Sequence, residues 1–323
     1  MDRVEILAGG VERDGDRHGG LGVSIANHRY FRGIGLPATP QSHRTPGIPV
    51  LRRLPVSIDT FEDAVGPALR RAPVLNQVEL GIIDNVRADP GRYPNGVRMV
   101  AVRDVTTDEI GLAIQTPPHK PLVSVAADTV AFELGRRFAD LYPETRSVFG
   151  TERTAGAFAR GAGAGDIRRT SHDGVYELRR VGPLPAPSGR ARIACAGDAP
   201  LLQSWLIAFV EESLPAGFPK DPKAGVRFAE SERTWIWVDD AGTPVSMAHN
   251  GRRIAGWWAV AYVYTPPAHR GHGFATAVVA HTSRWALSNG AEGCTLFTDL
   301  ANPGLEPDLR ADRLRAGGDA RDA

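Results

Sequence analysis

The residues best suited to chemistry lie in a glycine-containing turn within 263–275, between an almost wholly apolar segment and an amphipathic one. Gly271 and Gly273 carry no Cβ atom, so a ligand can approach the backbone of this turn closely. A helix that begins here leaves N–H groups without intrahelical partners, and its dipole favours an anion. We therefore predict that these amides hold a pyrophosphate, with Arg270 beside it as a permanent cation.

The simpler alternative is a tight strand-to-helix connection whose glycines serve only the turn. Two glycines alone favour that alternative, because short glycine motifs occur by chance. The flanking segments favour a binding site. Residues 256–264 are almost continuously apolar, which is typical of a strand buried on both faces, and 273–288 has the pattern of a helix.

Further regular patterns surround this turn and must position it. Helices are predicted near 59–69, 74–87, 129–141, 149–160, 198–212 and 224–231. Strands are predicted near 97–102, 110–114, 174–181, 191–194, 234–238, 243–248 and 294–298. The polar turn 239–242 joins two of these strands in a predicted β-hairpin. The mixture predicts an α/β protein.

Domain boundaries follow from changes in composition. Residues 1–50 show no sustained period of 2 or 3.6, which predicts a disordered extension. The Pro- and Gly-rich stretch 182–190 is typical of a linker. We therefore predict an amino-terminal lobe at 51–181, a second domain at 191–303 and a separate tail at 304–323.

Composition limits the classes of function. The chain has 323 residues and carries 38 Lys and Arg against 37 Asp and Glu, which does not fit a polybasic nucleic-acid-binding protein. The apolar run 254–264 is shorter than the roughly 20 residues of a membrane-spanning helix, and the first twenty residues lack an apolar signal segment. The only cysteines are Cys195 and Cys294, too few for a disulfide framework. We expect a cytoplasmic protein that binds neither nucleic acid nor membrane.

The pattern Arg, two residues, Gly, one residue, Ala at 270–275 resembles the acetyl-CoA pyrophosphate loop of the GNAT superfamily of acyl-CoA N-acyltransferases. The hairpin 235–248 and the stretch 296–303 resemble bacterial two-lobed members of the same family. The resemblance is specific over 191–303, and 51–181 resembles more weakly the degenerate amino-terminal lobe of those members, which lacks a matching phosphate loop. It implies a GNAT-type mixed sheet in tandem lobes.

The resemblance also implies acetyl-CoA as co-substrate and a small-molecule or amino-acid-like amine as acceptor. The acetyl group would move by direct attack of the neutral amine in a ternary complex, where positioning supplies much of the acceleration. A strand amide near Val263 would polarise the carbonyl. No Glu or Asp lies in 256–264, where some relatives place a base, so the catalytic base and acid are not identified.

By the same resemblance, particular residues would bind the cofactor. The strand backbone would pair with the pantetheine arm like an added strand, the turn would wrap the pyrophosphate, and an asparagine would lie close to the arm. These residues are Val263, Tyr264 and Thr265 for the arm, Arg270, Gly271, His272, Gly273, Phe274 and Ala275 for the pyrophosphate, and Asn302.

The resemblance ends after Pro303. Relatives continue with a stretch close to Ser Asn x Ile Tyr x x Ile Gly Phe, whose tyrosine commonly protonates the departing thiolate, whereas residues 304–315 differ throughout. Back-translation with one base dropped permits the family stretch. We hypothesise that 304–323 result from a frameshift in the gene or in its sequencing, with ordinary divergence as the alternative. A shifted chain would lack the tyrosine, its helix and the next strand, and we expect it to be poorly soluble or weakly active.

Two alternatives to the enzyme remain: a non-catalytic acyl-CoA-binding protein and an inactive product. No metal site is predicted, because His269, His272 and His281 lack further ligands at usable spacing. The four strand tryptophans are expected in the core, with one of them lining the acceptor pocket as the alternative. These are Trp235, Trp237, Trp257 and Trp258. The acceptor and the oligomeric state are left open.

Overall fold

The computed structural model describes residues 4–11, 34–35, 58–169, 173–183, 187–213 and 220–299. The chain divides into two compact units, the first consisting mainly of Asn27–Gly174 and the second mainly of Val175–Thr298. Asn302, the tail 304–323 and most of 1–50 lie outside the described residues. Each unit combines helices with a β-sheet, so the predicted α/β class is confirmed.

In its described residues, the first unit contains a four-stranded antiparallel sheet, a small three-stranded sheet and four helices. The strands are β1 (Val4–Val11), β2 (Ile34–Gly35), β3 (Val97–Asp104), β4 (Glu109–Gln115), β5 (Leu122–Val123), β6 (Ser147–Val148) and β7 (Arg168–Arg169). The helices are α1 (Ile58–Leu69), α2 (Gln77–Ala88), α3 (Asp128–Leu141) and α4 (Glu152–Gly161). The strand orders are β1-β3-β4-β5 and β6-β2-β7.

Apolar side chains at helical spacing build the core of this unit. Leu134 and Phe138 of α3 are fully buried and pack with Phe158 of α4 against the sheet. The two helices approach closely at Gly135, where an added Cβ atom would lie 1.9 Å from the carbonyl oxygen of Phe158. Only glycine fits this crossing.

The structure corrects the expectation of disorder for two parts of residues 1–50. Strand β1 pairs with β3 from Val4 opposite Asp104 to Val11 opposite Val97. Strand β2 pairs with both β6 and β7. Sequence periodicity missed both strands, because a strand added to an open sheet edge is held by main-chain hydrogen bonds that depend little on side-chain pattern.

The second unit is built on a six-stranded mixed sheet. Its strands are β8 (Asp173–Leu178), β9 (Arg190–Ile193), β10 (Thr234–Val238), β11 (Pro244–Ile254), β12 (Trp257–Tyr264) and β13 (Gly293–Asp299), in the order β8-β13-β12-β11-β10-β9. Its helices are α5 (Ala199–Ser213), α6 (Ala224–Ala229) and α7 (Phe274–Ser288). One sheet face packs against α5 and α6, and the other packs against α7.

The division between the units differs from the predicted linker at 182–190. Strand β8, which the sequence assigns to the amino-terminal lobe, lies at the edge of the second sheet beside β13. The two backbones are close there, because a Cβ atom on Gly293 would lie 2.9 Å from the carbonyl oxygen of Leu178. The boundary therefore falls at Gly174, near the start of β8. The pairing of β8 with the distant strand β13, and not the proline-rich composition of 182–190, therefore decides where the second unit begins.

Two element ends also differ from the sequence prediction. Helix α4 begins at Glu152 rather than 149, because the Thr151 hydroxyl accepts a hydrogen bond from the amide of Thr154 and caps the helix. Strand β11 continues to Ile254 rather than ending at 248, through register shifts on its pairing with β12. Among the described helices, none has the length and apolar character needed to cross a bilayer.

Candidate functional site

Strands β12 and β13 run side by side for only part of their length. They pair in parallel from Trp257 opposite Gly293 to Val260 opposite Leu296. Strand β12 continues to Tyr264, so Val263 and Tyr264 lie beyond the last residue that pairs with β13. A strand end that has left its neighbour offers main-chain groups to an extended ligand.

A bulge interrupts β12 just before this end. His249 of β11 lies opposite Ala261 and Met247 lies opposite Tyr264, so β12 contains one extra residue over this interval. Tyr262 adopts φ of 52° to accommodate it. A left-handed conformation costs a non-glycine residue about 1–3 kcal/mol, and such strain is concentrated at functional sites.

The bulge also breaks the alternation of side chains. Ala261 and Tyr262 are consecutive, yet both contribute to the core under α5 and α6. Val260 and Val263 pack on the opposite face, against α7. The bulge thus directs Tyr262 toward α5 and α6 at the point where β12 leaves β13.

The predicted pyrophosphate turn follows β12 directly. Gly271 and Gly273 have φ of 78° and 77°, in the left-handed region that glycine adopts without strain. Among the described residues, a Cβ atom on Gly271 would have no heavy atom within 4 Å, and one on Gly273 would meet only Pro187, at 4.0 Å. Open space therefore lies over both glycines.

Helix α7 begins with amides that the helix itself does not use. Gly273 is its N-cap and provides no side-chain hydrogen bond. The first intrahelical bond runs from the amide of Ala277 to the carbonyl of Gly273, at 3.0 Å. The amides of Phe274, Ala275 and Thr276 precede that bond, as the first N–H groups of any helix do. They adjoin the open space over Gly273.

Arg270 is held by a fixed set of partners. Its Nε donates to the carbonyl of Thr265 at 2.9 Å, and its Nη2 donates to Oε2 of Glu212 at 2.5 Å. The hydroxyl of Tyr264 donates to the other oxygen of Glu212 at 3.1 Å. Burial, followed by the neighbouring Glu212, raises the pKa of Tyr264, so the phenol stays protonated and acts as a donor.

The other predicted turn and strand residues also lie here. His272 is exposed, and its Nδ1 hydrogen-bonds to the carbonyl of Arg270 at 2.8 Å while its ring stacks on Phe274. The Thr265 hydroxyl lies 2.8 Å from that of Ser246. Nine of the ten predicted residues therefore lie together, because 263–265 lead into this turn and 270–275 run from it into α7. Asn302, the tenth, lies outside the described residues.

The start of α3 in the first unit differs from the start of α7. The amide of Ala127, just before α3, donates to the carboxylate of Glu109. Asp128 then places a second carboxylate in the first turn. Two carboxylates therefore lie at the start of α3.

A cleft lies between α5, α6 and Tyr262, and sequence reasoning missed it. Its volume is about 320 Å³, including the open mouth. It is lined by Gln203, Leu206, Ile207, Val210, Lys220, Asp221, Ala224, Arg227, Phe228 and Tyr262. None of the four strand tryptophans lines this cleft, and Trp237 and Trp257 are buried in the core.

Gln203 fixes the separation of the two helices that form the cleft. Its side-chain amide donates to the carbonyl of Asp221 at 3.0 Å and accepts from the amide of Gly225 at 2.8 Å. A Cβ atom on Gly225 would lie 2.2 Å from the carbonyl of Ala199, so the approach requires glycine. The spacing of Gln203, Leu206 and Val210 on one face of α5 is a partial sequence signal for this site.

His249 packs against two of the residues that line the cleft. Its ring centre is 4.3 Å from that of Phe228 and 6.2 Å from that of Tyr262. Burial, together with the charge of Arg233, lowers the pKa of His249 to about 3, so the imidazole is neutral. The described residues contain no group of three or more His, Cys, Asp or Glu side chains able to hold a metal ion.

Comparison with known proteins assigns this unit. Residues 200–306 match the family model described as acetyltransferase (GNAT) family. A GNAT acetyltransferase domain therefore occupies this segment of the chain. This confirms the resemblance inferred from sequence. No relative was found among curated protein sequences.

Solved structures are also similar to parts of this chain. A GCN5-related N-acetyltransferase from Sphaerobacter thermophilus is 16% identical over 77% of this chain and 88% of that chain, with a TM-score of 0.50. A protein from Mycobacterium tuberculosis, solved in complex with CoA, is 18% identical over 32% of this chain, with a TM-score of 0.28. This chain spans 60% of the length of that protein.

A third similar structure was solved with its substrate. Diaminobutyrate acetyltransferase from Paenibacillus lautus, in complex with L-2,4-diaminobutyric acid and coenzyme A, is 16% identical over 32% of this chain and 71% of that chain, with a TM-score of 0.24.

Proposed function

We propose that the second unit transfers an acetyl group from acetyl-CoA to the amine of a small molecule. The observation that carries this proposal is the open start of α7, where glycines at positive φ precede amides that no side chain caps. Membership of the GNAT family supports an acyl-CoA co-substrate.

The roles of the binding residues follow from their placement. The amides of Gly271, Gly273 and the first turn of α7 hold the pyrophosphate, and the helix dipole favours its charge. The main-chain groups of Val263, Tyr264 and Thr265 pair with the pantetheine arm. Arg270 contributes a positive charge, which Glu212 partly neutralises. Asn302 is proposed to lie near the arm, as in the family.

The reaction joins two bound substrates directly. The amine nitrogen attacks the thioester carbonyl, the new C–N bond forms, and the C–S bond breaks to release coenzyme A as a thiolate. The nitrogen loses one proton and the thiolate gains one. Holding both reactants in one site supplies most of the acceleration, and a strand amide near Val263 stabilises the oxyanion.

Calorimetric titration with acetyl-CoA tests whether this turn binds the pyrophosphate. Gly271→Glu places a carboxylate in the open space over the turn, and we expect at least tenfold weaker binding because the like charge repels the pyrophosphate. Gly242→Glu is the matched control, because Gly242 also has positive φ, 83°, and also has no atom within 4 Å of an added Cβ. Its binding should be unchanged.

Equal effects of the two substitutions on acetyl-CoA binding would contradict a pyrophosphate site at this turn. A thiol-release assay with a panel of amines then separates transfer from binding alone. Acetyl-CoA binding without any transfer would indicate a non-catalytic acyl-CoA-binding protein.

A further inference from the structure

Residues 187–189 border the start of α7 within the second unit. A Cβ atom built on Gly273, the N-cap of α7, would lie 4.0 Å from Cδ of Pro187. Pro187 is half-buried, so part of its ring stays accessible. An anion held by the first amides of α7 would therefore have this ring as a neighbour, although Pro187 is more than 80 residues away in sequence.

Two contacts fix residues 187–189 against the sheet. The indole Nε1 of Trp237 donates a hydrogen bond to the carbonyl of Ser188 at 3.1 Å. Gly189 has φ of 106°, and a Cβ atom there would lie 2.1 Å from the carbonyl oxygen of Val238, so this approach requires glycine. Both contacts are made directly after Pro187 in the chain. They therefore give Pro187 a defined position beside α7.

The order of the strands places residues 187–189 on the side of the turn away from β12. They lead directly into β9, which is three strands from β12, or about 14 Å at the usual spacing of roughly 4.8 Å. Trp237, which holds Ser188, packs on the sheet face that α7 covers. The turn therefore leads from the end of β12 to a helix start beside Pro187.

The covalent order of coenzyme A matches this arrangement. Its pyrophosphate joins the pantetheine arm on one side to the adenosine nucleotide on the other. With the arm along β12 and the pyrophosphate at the start of α7, the nucleotide lies on the side of the turn away from β12. A proline ring is rigid and apolar, and it can pack against a ribose or a purine without losing side-chain freedom.

We propose that Pro187 contacts the nucleotide half of coenzyme A, and that Trp237 and Gly189 are positioning residues that hold Pro187 at the start of α7. The inference rests on the proposed acetyl transfer. It extends the cofactor site from the turn before α7 to residues 187–189, which the composition of the sequence assigns to a linker.

Calorimetry with the full chain and acetyl-CoA tests whether Pro187 lies beside the cofactor. Pro187→Asp places a carboxylate near Gly273, and we expect at least fivefold weaker binding because the like charge repels the phosphates. Pro183→Asp is the matched control, because it makes the same change at an exposed proline. The carbonyl of the preceding Gly182 accepts from Arg284, about 15 Å along α7 from its first residue. That distance exceeds the screening length of about 8 Å, so this variant should bind acetyl-CoA normally.

A neutral variant and a truncated cofactor test which half of coenzyme A Pro187 contacts. Pro187→Ala removes the ring without adding charge, and acetyl-CoA binding should weaken about fourfold, the effect of one buried methylene. S-acetyl-4′-phosphopantetheine keeps the arm and one phosphate but lacks the nucleotide. Its affinity, measured by competition with acetyl-CoA, should be the same for Pro187→Ala and the original chain.

Two glycine variants test the positioning role. Gly189→Ala forces residues 187–189 away from Val238, so acetyl-CoA binding should weaken while S-acetyl-4′-phosphopantetheine binding is retained. A general loss of folding would not separate the two ligands in this way. Gly182→Ala is the control, because a Cβ atom there would meet no heavy atom of the described chain within 4 Å, and it should change neither affinity.

The outcomes separate this inference from the proposed function. Equal affinities of Pro187→Asp and Pro183→Asp for acetyl-CoA, or an equal loss of both ligands in Pro187→Ala, overturn the inference alone. An unchanged affinity in Gly189→Ala overturns the positioning role. Failure of the original chain to bind acetyl-CoA overturns the proposed function and the inference together.

Discussion

Glu212 and Arg270, 58 residues apart in sequence, form an ion pair of 2.5 Å that connects the end of α5 to the turn before α7. The other oxygen of Glu212 accepts the hydrogen bond of the Tyr264 hydroxyl. One carboxylate therefore joins α5, the last residue of β12 and Arg270 in the turn before α7.

Replacing Glu212 by glutamine should strengthen acetyl-CoA binding. The substitution removes the negative charge that competes with the pyrophosphate for Arg270. Both side chains are more than a third exposed, at 48% for Arg270 and 40% for Glu212, so solvent weakens their pairing. We therefore expect the affinity for acetyl-CoA to rise by no more than about fivefold. Calorimetry measures this gain. Glu211→Gln is the control, since Glu211 pairs with Lys220 instead, and weaker binding by Glu212→Gln would refute the prediction.

Replacing Arg270 by glutamine should weaken acetyl-CoA binding about tenfold, because a charge-assisted hydrogen bond to phosphate is lost. The dependence of binding on salt should also become less steep, since fewer charges are paired in the complex. Titrations at low and high salt measure both effects. Arg284→Gln removes an exposed arginine from α7 that bonds the carbonyl of Gly182, and it should change neither. An unchanged salt dependence in Arg270→Gln would exclude a direct contact with the cofactor.

The glycine turn before α7 was predictable because its signals are local. Gly271, Gly273 and the start of α7 are adjacent in sequence, and the apolar strand before them is continuous. The cleft was not predictable, because Gln203 and Gly225 set the spacing of its helices only after α5 and α6 have packed. The Tyr262 bulge depends on the register with β11, which side-chain alternation does not encode.

Long-range pairing explains the remaining differences. Strand β8 has a clear strand pattern, but its place beside β13 is decided by a partner more than 100 residues away. The Glu212 pair with Arg270 likewise needs the folded sheet to bring α5 beside the turn. Sequence reasoning therefore found most of the elements and the glycine turn, and it missed the contacts that join them.

His249 should make the stability of the second unit depend on pH. Its pKa is lowered to about 3 by burial and by Arg233, whereas an unfolded histidine titrates near 6.5. Between about pH 3 and 6.5, the unfolded state therefore binds a proton that the folded state does not. The free energy of unfolding then falls as the pH drops from about 6.5 toward 3, by about 1.4 kcal/mol per pH unit. His249→Gln should reduce this slope.

Tryptophan fluorescence during urea unfolding measures the slope for the second unit alone, because all six tryptophans lie between Trp205 and Trp285. His272→Gln removes an exposed histidine from the phosphate turn and should leave the slope unchanged. A slope in His249→Gln as steep as that of the original chain would show that the imidazole does not control acid stability.

Glu79 should have the opposite effect on the first unit. It lies in α2, is fully buried, and neither of its carboxylate oxygens has a hydrogen-bond partner within the described structure. Burial raises its pKa from 4.5 to about 7. The folded state therefore keeps a proton that the unfolded state has already lost, and stability decreases as pH rises from about 4.5 to 7.

Glu79→Gln should remove this loss, because the amide carries no charge at any pH. We expect the variant to exceed the original chain by about 3 kcal/mol at pH 8 and by little at pH 4. Hydrogen exchange of the α2 amides measures the difference, since the first unit contains no tryptophan. Glu133→Gln is the informative contrast: this buried carboxylate pairs with Arg136 and Arg137, so its loss should destabilise the unit at pH 8. If Glu79→Gln behaved like Glu133→Gln at pH 8, Glu79 would have to be ionised and paired in the folded protein.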